Sequence, residues 1–306
     1  MSEQILQALM ELFAIIARPE SHGKDRRSVV ESFLRRQLNE ELVSDYLNVF
    51  DAFYSKHQAL QIERGDKRIG PDSVKILRIC NDINKELTQK QKFIVLVQLF
   101  EFAKADKHEI SEQEMEFIGI VSESFYITHE EEMLLKEFIT NSFDNIPISK
   151  DLLIINNKKI DNKKEYKHLF SEFLDGHLWI VNISTANLYF LRYIGENEMY
   201  LNGQLLQQDK VYVLNPGTSI RNHLIKPLYY SDIVSKFKED EQQHRIVFEA
   251  RNISYKFRAG HTGLHPMSFR EESGRLIGIM GASGAGKSTL LNILNGSTPP
   301  ATGEVL

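Results

Sequence analysis

The segment Gly281-Ala-Ser-Gly-Ala-Gly-Lys-Ser288 contains the residues whose types and spacing predict chemistry most directly. It matches the pattern G-x-x-x-x-G-K-[ST] at every position. Glycines at this spacing let the backbone curl so that successive N–H groups point at nucleotide phosphates, and the following helix adds its positive N-terminal end. The residues predicted to contact the phosphates are Gly281, Ser283, Gly284, Ala285, Gly286, Lys287, Ser288 and Thr289.

Two side chains of this loop have distinct predicted roles. Lys287 would bridge β- and γ-phosphate oxygens, and Ser288 would supply one oxygen ligand to the Mg²⁺ that accompanies ATP. A flexible glycine turn is the alternative. The elements around the motif argue against it, because Leu276–Met280 predicts a buried apolar strand before the loop and Thr289–Leu294 an apolar helix after it. Two further strands are predicted upstream, at 246–248 and 253–257.

The run RLIGIMGASGAGKSTLLNILNG, followed by TPPATGEV, resembles the start of the ATPase domain of ABC transporters, with the white (ABCG-like) subfamily most similar. FEARNISYKF and GLHPMSF lie where that family has its first strands, so the resemblance covers 245–306. It implies a P-loop α/β domain that binds ATP and Mg²⁺, dimerises and serves transporter membrane domains. It also implies an aromatic residue that stacks on adenine. Phe257 holds that position and Tyr255 is the alternative, although either could simply be strand core.

In the same family the Q-loop glutamine, the signature motif, the Walker B aspartate, the catalytic glutamate and the switch histidine all follow the P-loop (Walker A) helix. None of them is present in these 306 residues. We therefore expect the N-terminal piece of a longer transporter ATPase, which binds ATP without hydrolysing it, since phosphoryl transfer depends on positioning the metal and water. The parent protein is expected at the cytoplasmic face of the inner membrane, and this fragment is expected to be soluble. A P-loop kinase or GTPase fits the run less closely.

Residues 1–140 predict an all-helical domain, in which the nearly all-apolar stretch Lys92–Phe102 is the central helix. Gly70-Pro71-Asp72 predicts a break with Asp72 as the next N-cap. The run FAKADKHEISEQE resembles the A-D-G-x-I-x-x-x-E repeat of TerB-like tellurite-resistance domains, which implies a cation held by Asp106 and Glu114. The residues themselves favour another explanation, in which Ser111 caps a helix with an acidic first turn.

Residues 141–234 predict a small β-sandwich or barrel, because short apolar runs alternate with turn signals such as Asn202-Gly203. YLNGQLL and YVLNPGTSIR resemble a forkhead-associated (FHA) domain. The arginine, serine and histidine that read phosphothreonine in that family have no clear counterparts before Trp179. Arg192 and Arg221 are candidates for a phosphopeptide site only because they are basic, so a spacer or docking role is favoured. The charged residues 235–244 are interpreted as a linker to the third domain, 245–306.

Composition is consistent with this multidomain interpretation: a TerB-like all-α domain, a small all-β FHA-like module and the start of an ABC ATPase domain. The chain has 306 residues, of which 42% are hydrophobic, and a net charge of −5, which argues against a general nucleic-acid binder. Its single cysteine, Cys80, excludes an internal disulfide, and no apolar run is long enough to cross a bilayer. The alternative function is a non-enzymatic interaction or regulatory protein built on the TerB-like and FHA-like modules.

Overall fold

Helices form the N-terminal part of the chain, in a computed structural model that describes residues 2–17, 23–64, 70–105, 109–142, 145–158, 166–238, 247–257, 260–272, 274 and 276–306. The helices are α1 (Glu3–Ile16), α2 (Gly23–Arg35), α3 (Glu40–Arg64), α4 (Gly70–Glu86), α5 (Gln89–Lys104), α6 (Glu112–Ser124) and α7 (His129–Thr140). Since α4 begins at Gly70, the predicted N-cap at Asp72 is wrong. Pro71 fits the first turn of a helix, because its fixed φ is helical and the missing N–H has no partner there.

Helix α5 is the centre of the helical part, as its all-round apolar pattern predicts. Its buried residues include Phe93, Leu96 and Phe102. The Phe102 ring lies 5.5 Å from that of Phe13 on α1 and 6.1 Å from that of Phe50 on α3, measured between centroids. A helix that is apolar on every side can be covered only by neighbours on every side, which explains why α1, α2, α3, α6 and α7 pack around it.

Two β-sheets follow the helices. The strands are β1 (Leu152–Asn156), β2 (Lys167–Phe170), β3 (His177–Ile183), β4 (Leu188–Ile194), β5 (Tyr200–Leu201), β6 (Gln204–Leu205), β7 (Val211–Leu214), β8 (Ser219–Arg221) and β9 (Leu228–Tyr229). One sheet has the order β2-β1-β3-β4-β7 and the other β6-β5-β8-β9. All neighbouring strands are antiparallel except β1 and β2. Asn202 and Gly203 both have positive φ, 52° and 86°, which confirms the predicted hairpin turn.

The five-stranded sheet is buried on both faces. On β1, Leu152 and Ile154 join the core that the helices form, while Leu153 and Ile155 join a second core shared with the four-stranded sheet. This alternation explains the unbroken apolar run of β1, because adjacent side chains of a strand point to opposite faces. The predicted 1–140 and 141–234 domains therefore share one core, and residues 1–237 form one compact unit.

The predicted linker begins later than its charged composition indicates. Helix α8 (Tyr230–Lys238) continues through the first part of 235–244. Its Ile233 and Phe237, one helical turn apart, are buried in the second core. The interpretation of 235–238 as linker is therefore wrong, and residues 239–246 lie outside the described residues.

Residues 238–306 form a second compact unit. It contains β10 (Val247–Lys256), β11 (Thr262–Glu272), α9 (Lys287–Leu294) and β12 (Thr302–Val305), and its antiparallel sheet has the order β11-β10-β12. The two upstream strands that we predicted belong to one strand, β10. Asn252 interrupts its pairing with a left-handed φ of 49°, which shifts the register between Ala250 and Ile253.

The segment Leu276–Met280 is not a buried strand, so that prediction is wrong. It has no regular structure, and Leu276 and Met280 are 102% and 94% exposed. A strand is buried only when neighbours pair with its edges and cover its faces. Within the described part of the chain, no strand pairs with this segment.

No described helix combines the length and the apolar character that crossing a membrane requires.

Candidate nucleotide-binding site

The glycine-rich loop forms a tight turn directly before α9. The N–H of Ala285 donates to the carbonyl oxygen of Ala282 at 3.2 Å, which closes the turn. Gly284 and Gly286 have φ of 81° and 90°, in the left-handed region that side chains disfavour. These glycines give the curled backbone that a phosphate-binding loop requires, and Gly281 to Ala285 are exposed.

Lys287 folds back over this loop. Its Nζ atom donates to the carbonyl oxygens of Gly281 at 2.8 Å and Ala282 at 2.7 Å. An ammonium group has three donors and reorients easily on its flexible stem. The lysine is therefore placed at the loop with donors that could contact phosphate oxygens as well as the backbone.

Helix α9 is anchored so that its N-terminus lies at the end of the loop. Leu290 and Ile293, on one face of the helix, are buried against β10 and β11. Its N-cap is Gly286, which has no side chain to cap the first turn. The positive helix end is thus open to an anionic ligand, and Ser288 is exposed in that first turn.

The two aromatic residues predicted as candidates to stack on adenine, Tyr255 and Phe257, lie at and just after the end of β10. Tyr255 is partly buried and packs against the core of the second unit, whereas Phe257 is 49% exposed. Their rings are perpendicular, with centroids 5.3 Å apart. Of the two rings, Phe257 is therefore the one with open surface on which a base could stack, whereas Tyr255 is part of the core.

The hairpin that carries Phe257 touches the loop at a glycine pair. A Cβ atom on Gly286 would lie 2.6 Å from the carbonyl oxygen of Gly263 on β11. Gly286 is therefore required for two independent reasons, its positive φ and this close approach. The glycine-rich loop and the hairpin that precedes it in the chain are in direct contact.

The structure describes only one of the two acidic residues, Asp106 and Glu114, that the TerB resemblance implies as cation ligands. Asp106 lies outside the described residues. Glu114 is buried, and its carboxylate accepts hydrogen bonds from Arg26 Nη2 at 2.8 Å and from Ser111 N and Oγ, both at 2.9 Å. Ser111 caps α6, which confirms the cap that the residues favoured. Among the described residues, no cluster of three histidine, cysteine or acidic side chains could hold a metal ion.

The two arginines of the β-rich part have different environments. Arg192 is buried, and its guanidinium contacts Asp209 and the carbonyl oxygens of Phe138 and Asn141, so its donors serve the interior. Arg221 is exposed on β8. The structure does not bring the two together at one ligand site, because one is an internal contact and the other faces solvent.

Comparison with known proteins identifies two matching segments. Residues 264–306 match the sequence profile of the ABC transporter family, and residues 7–137 match that of the tellurite resistance protein TerB. The C-terminal segment thus resembles ABC transporters. These matches confirm the resemblance to ABC transporters and the resemblance to TerB that the motifs predicted.

Individual relatives match short stretches of the chain. The capsule polysaccharide export ATP-binding protein CtrD of Neisseria meningitidis is 54% identical over 44 residues, 14% of this chain and 20% of that protein. The methionine import ATP-binding protein MetN of Nocardia farcinica is 45% identical over 60 residues, 19% of this chain and 18% of that protein. The chain thus spans about a fifth of the length of these relatives. No solved structure matches the chain.

Sequence reasoning missed two glycines of the second unit. Gly263 contacts the loop as described, and a Cβ on Gly303 would lie 2.1 Å from the carbonyl oxygen of Arg251. An isolated glycine in or beside a strand is a known sign of close backbone approach, and both could have been marked for that reason. The sequence does not say which backbone approaches, because Gly286 is distant along the chain from Gly263, and Arg251 from Gly303.

Proposed function

We propose that this chain is an ATP-binding component of an ABC transporter and binds Mg²⁺-ATP through residues 281–289. The observation that carries the proposal is the placement of Lys287 and the open α9 N-terminus around the glycine turn. Successive N–H groups and the ammonium would hold the β- and γ-phosphates, and Ser288 would supply an oxygen to Mg²⁺. The ABC transporter profile over 264–306 and the similarity of part of the chain to proteins named as ATP-binding components support the same ligand.

The proposal concerns binding rather than turnover. The groups that position the attacking water follow the P-loop helix in ABC ATPases, as set out above. We also propose, from the resemblance, that the ATP-binding unit pairs with a second ATPase domain and with transporter membrane domains at the cytoplasmic face of a membrane. Relatives named as export and import ATP-binding proteins support such an assembly.

Finer assignments rest on motifs. The white-like subfamily is proposed from the run around the P-loop and from TPPATGEV. An FHA-like spacer is proposed for the β-rich part, where two sheets share a core. A cation at Asp106 and Glu114 also remains a proposal from the TerB resemblance, although Glu114 already has protein partners.

Calorimetric titration of the full chain with Mg²⁺-ATP tests the nucleotide proposal. We expect binding that Lys287→Ala weakens at least about tenfold, because a charge-assisted hydrogen bond contributes about 1.5–3 kcal/mol. Lys90→Ala removes an exposed lysine of α5 and is the matched control, which should bind as the wild type does. Equal affinity of the wild type and Lys287→Ala would contradict the proposal.

The alternative function, a non-enzymatic interaction protein, is favoured by the shared core of residues 1–237, which makes the helical and β-rich parts one body. Such a protein would capture its partner equally well with and without ATP. Partner binding by the full chain that is unchanged in Lys287→Ala would support this alternative.

A further inference from the structure

Gly263 on β11 is in contact with the ring of Phe257. A Cβ atom built on Gly263 would lie 2.6 Å from Cε2 of that ring, 3.1 Å from Cζ and 3.2 Å from Cδ2. Side-chain Cβ atoms do not approach carbon this closely, so the ring occupies space that any residue other than glycine would fill. The position of the Phe257 ring therefore depends on the missing side chain at Gly263.

The same glycine contacts the phosphate-binding loop. Its carbonyl oxygen lies where a Cβ on Gly286 would come within 2.6 Å. One residue of β11 is thus in contact with the aromatic ring through its Cα and with the loop through its carbonyl group. The separation between ring and loop is set by this single residue.

Two other contacts restrict the ring. Tyr255 meets it edge-on at 5.3 Å, and the N–H of Phe257 donates to the carbonyl oxygen of His261 at 2.9 Å. About half of the Phe257 surface remains exposed, at 49%. Residues of the hairpin therefore contact one part of the Phe257 ring, and the exposed part is accessible to a ligand.

We propose that Gly263 is a positioning residue for the purine of the bound nucleotide, because it seats the Phe257 ring at a fixed distance from the loop that holds the phosphates. This inference rests on the proposed function. A purine can stack on the Phe257 ring only if the ring lies at a suitable distance from the loop that holds the phosphates. Stacking of this kind changes the affinity for the nucleotide by about tenfold. Gly263 touches no ligand itself and acts through Phe257.

The test separates the base from the phosphates. The full chain is titrated with Mg²⁺-ATP and, separately, with Mg²⁺-tripolyphosphate, which has no base. Gly263→Ala should weaken ATP binding about tenfold, because the new Cβ displaces the Phe257 ring from the base. Tripolyphosphate binding should stay within about twofold, because the ring contacts no phosphate. Gly263 has no positive φ, so alanine is compatible with its backbone. Gly278→Ala is the matched control, since its Cβ would meet nothing within 4 Å.

A double-mutant cycle tests whether Gly263→Ala weakens ATP binding through the Phe257 ring. Phe257→Ala should weaken ATP binding about as much as Gly263→Ala does, and the double variant should bind like Phe257→Ala alone. Phe257→Ala also removes the ring atoms that the Cβ introduced by Gly263→Ala would meet. The double variant should therefore regain any thermal stability that Gly263→Ala alone loses.

Three results would overturn the inference and leave the proposed function intact. The first is unchanged ATP affinity in Gly263→Ala. The second is an equal loss for tripolyphosphate, which would place the effect on the loop. The third is a further loss of ATP affinity when Gly263→Ala is added to Phe257→Ala. A wild-type chain that binds neither ligand would overturn the proposed function and the inference with it, whereas ATP binding that is indifferent to Gly263→Ala would overturn the inference alone.

Discussion

The guanidinium of Arg192, on strand β4, donates from Nη1 to the carbonyl oxygen of Phe138 near the end of helix α7 at 2.6 Å. The same nitrogen donates to the Asn141 carbonyl at 2.8 Å, and Nε donates to Asp209 at 2.6 Å. The last carbonyls of a helix have no partner within it, and a cation is favourable at that end. Arg192 therefore joins the helical and β-rich parts by donating to carbonyl groups at the end of α7, of which the Phe138 bond is buried.

Replacing Arg192 should destabilise the first unit strongly. Arg192→Ala leaves the Phe138 and Asn141 carbonyls without this donor and removes the stacking of the guanidinium over Trp179, where the distance to the ring centroid is 5.6 Å. We expect a loss of about 3 kcal/mol in the free energy of unfolding, measured by urea titration. Arg221→Ala, at an exposed arginine, should cost less than about 0.5 kcal/mol. Similar losses for the two variants would contradict this role.

Glu101 predicts a pH dependence at the same junction. Its Oε1 accepts the N–H of Val211 on β7 at 2.9 Å, yet burial raises the pKa of Glu101 above the ordinary 4.5, despite this hydrogen bond. A raised pKa in the folded state means that the folded chain binds the proton more tightly than the unfolded chain. This contribution to stability is fully present below the unfolded pKa of 4.5 and is lost as the pH rises through the folded pKa.

Glu101→Gln tests this pH dependence, because glutamine keeps an acceptor for Val211 and does not ionise. The wild type should lose stability relative to the variant as the pH rises from 4.5, when free energies of unfolding are compared by urea titration at each pH. Parallel profiles for the two proteins would show that Glu101 does not cause the dependence.

Local patterns predicted the loop, the helices of the N-terminal part and most strands, because these follow from the spacing of nearby residues. The end of α8 was predicted as linker because residues 235–238 are charged and polar. The strand predicted at Leu276–Met280 failed since burial depends on neighbours, and its apolar letters do not specify any. Arg192 was merely a basic residue in the sequence. Its role depends on α7, which is distant along the chain but adjacent in the fold. The same applies to Gly263, whose two contacts come from β10 and from the loop.

Glu114 should prove structural rather than metal-binding. Its pair with Arg26 joins α6 to α2, and both side chains are almost fully buried, at 3% and 4% exposure. Glu114→Ala removes the carboxylate to which Arg26 and Ser111 donate, so we expect a loss of about 2–4 kcal/mol in the free energy of unfolding. The loss should be the same with calcium and with a chelator.

The exposed Glu112 in the same helical turn offers a control for Glu114. Glu112→Ala should cost at most about 1 kcal/mol, through its interaction with the helix dipole. Calcium that stabilises the wild type but not Glu114→Ala would instead support the cation site that the TerB resemblance implies.

Gly284 and Gly286 form a matched pair that separates backbone strain from packing in the loop. Both have φ in the left-handed region, 81° and 90°, so alanine at either costs about 1–2 kcal/mol in strain. Only at Gly286 would the new Cβ meet another atom closely, the Gly263 carbonyl oxygen at 2.6 Å, whereas Gly284 has nothing within 4 Å. Gly286→Ala should therefore destabilise the second unit by about 1–3 kcal/mol more than Gly284→Ala. Hydrogen exchange at the amides of β10 measures this difference directly, and equal protection in the two variants would mean that the loop and the hairpin are not in contact.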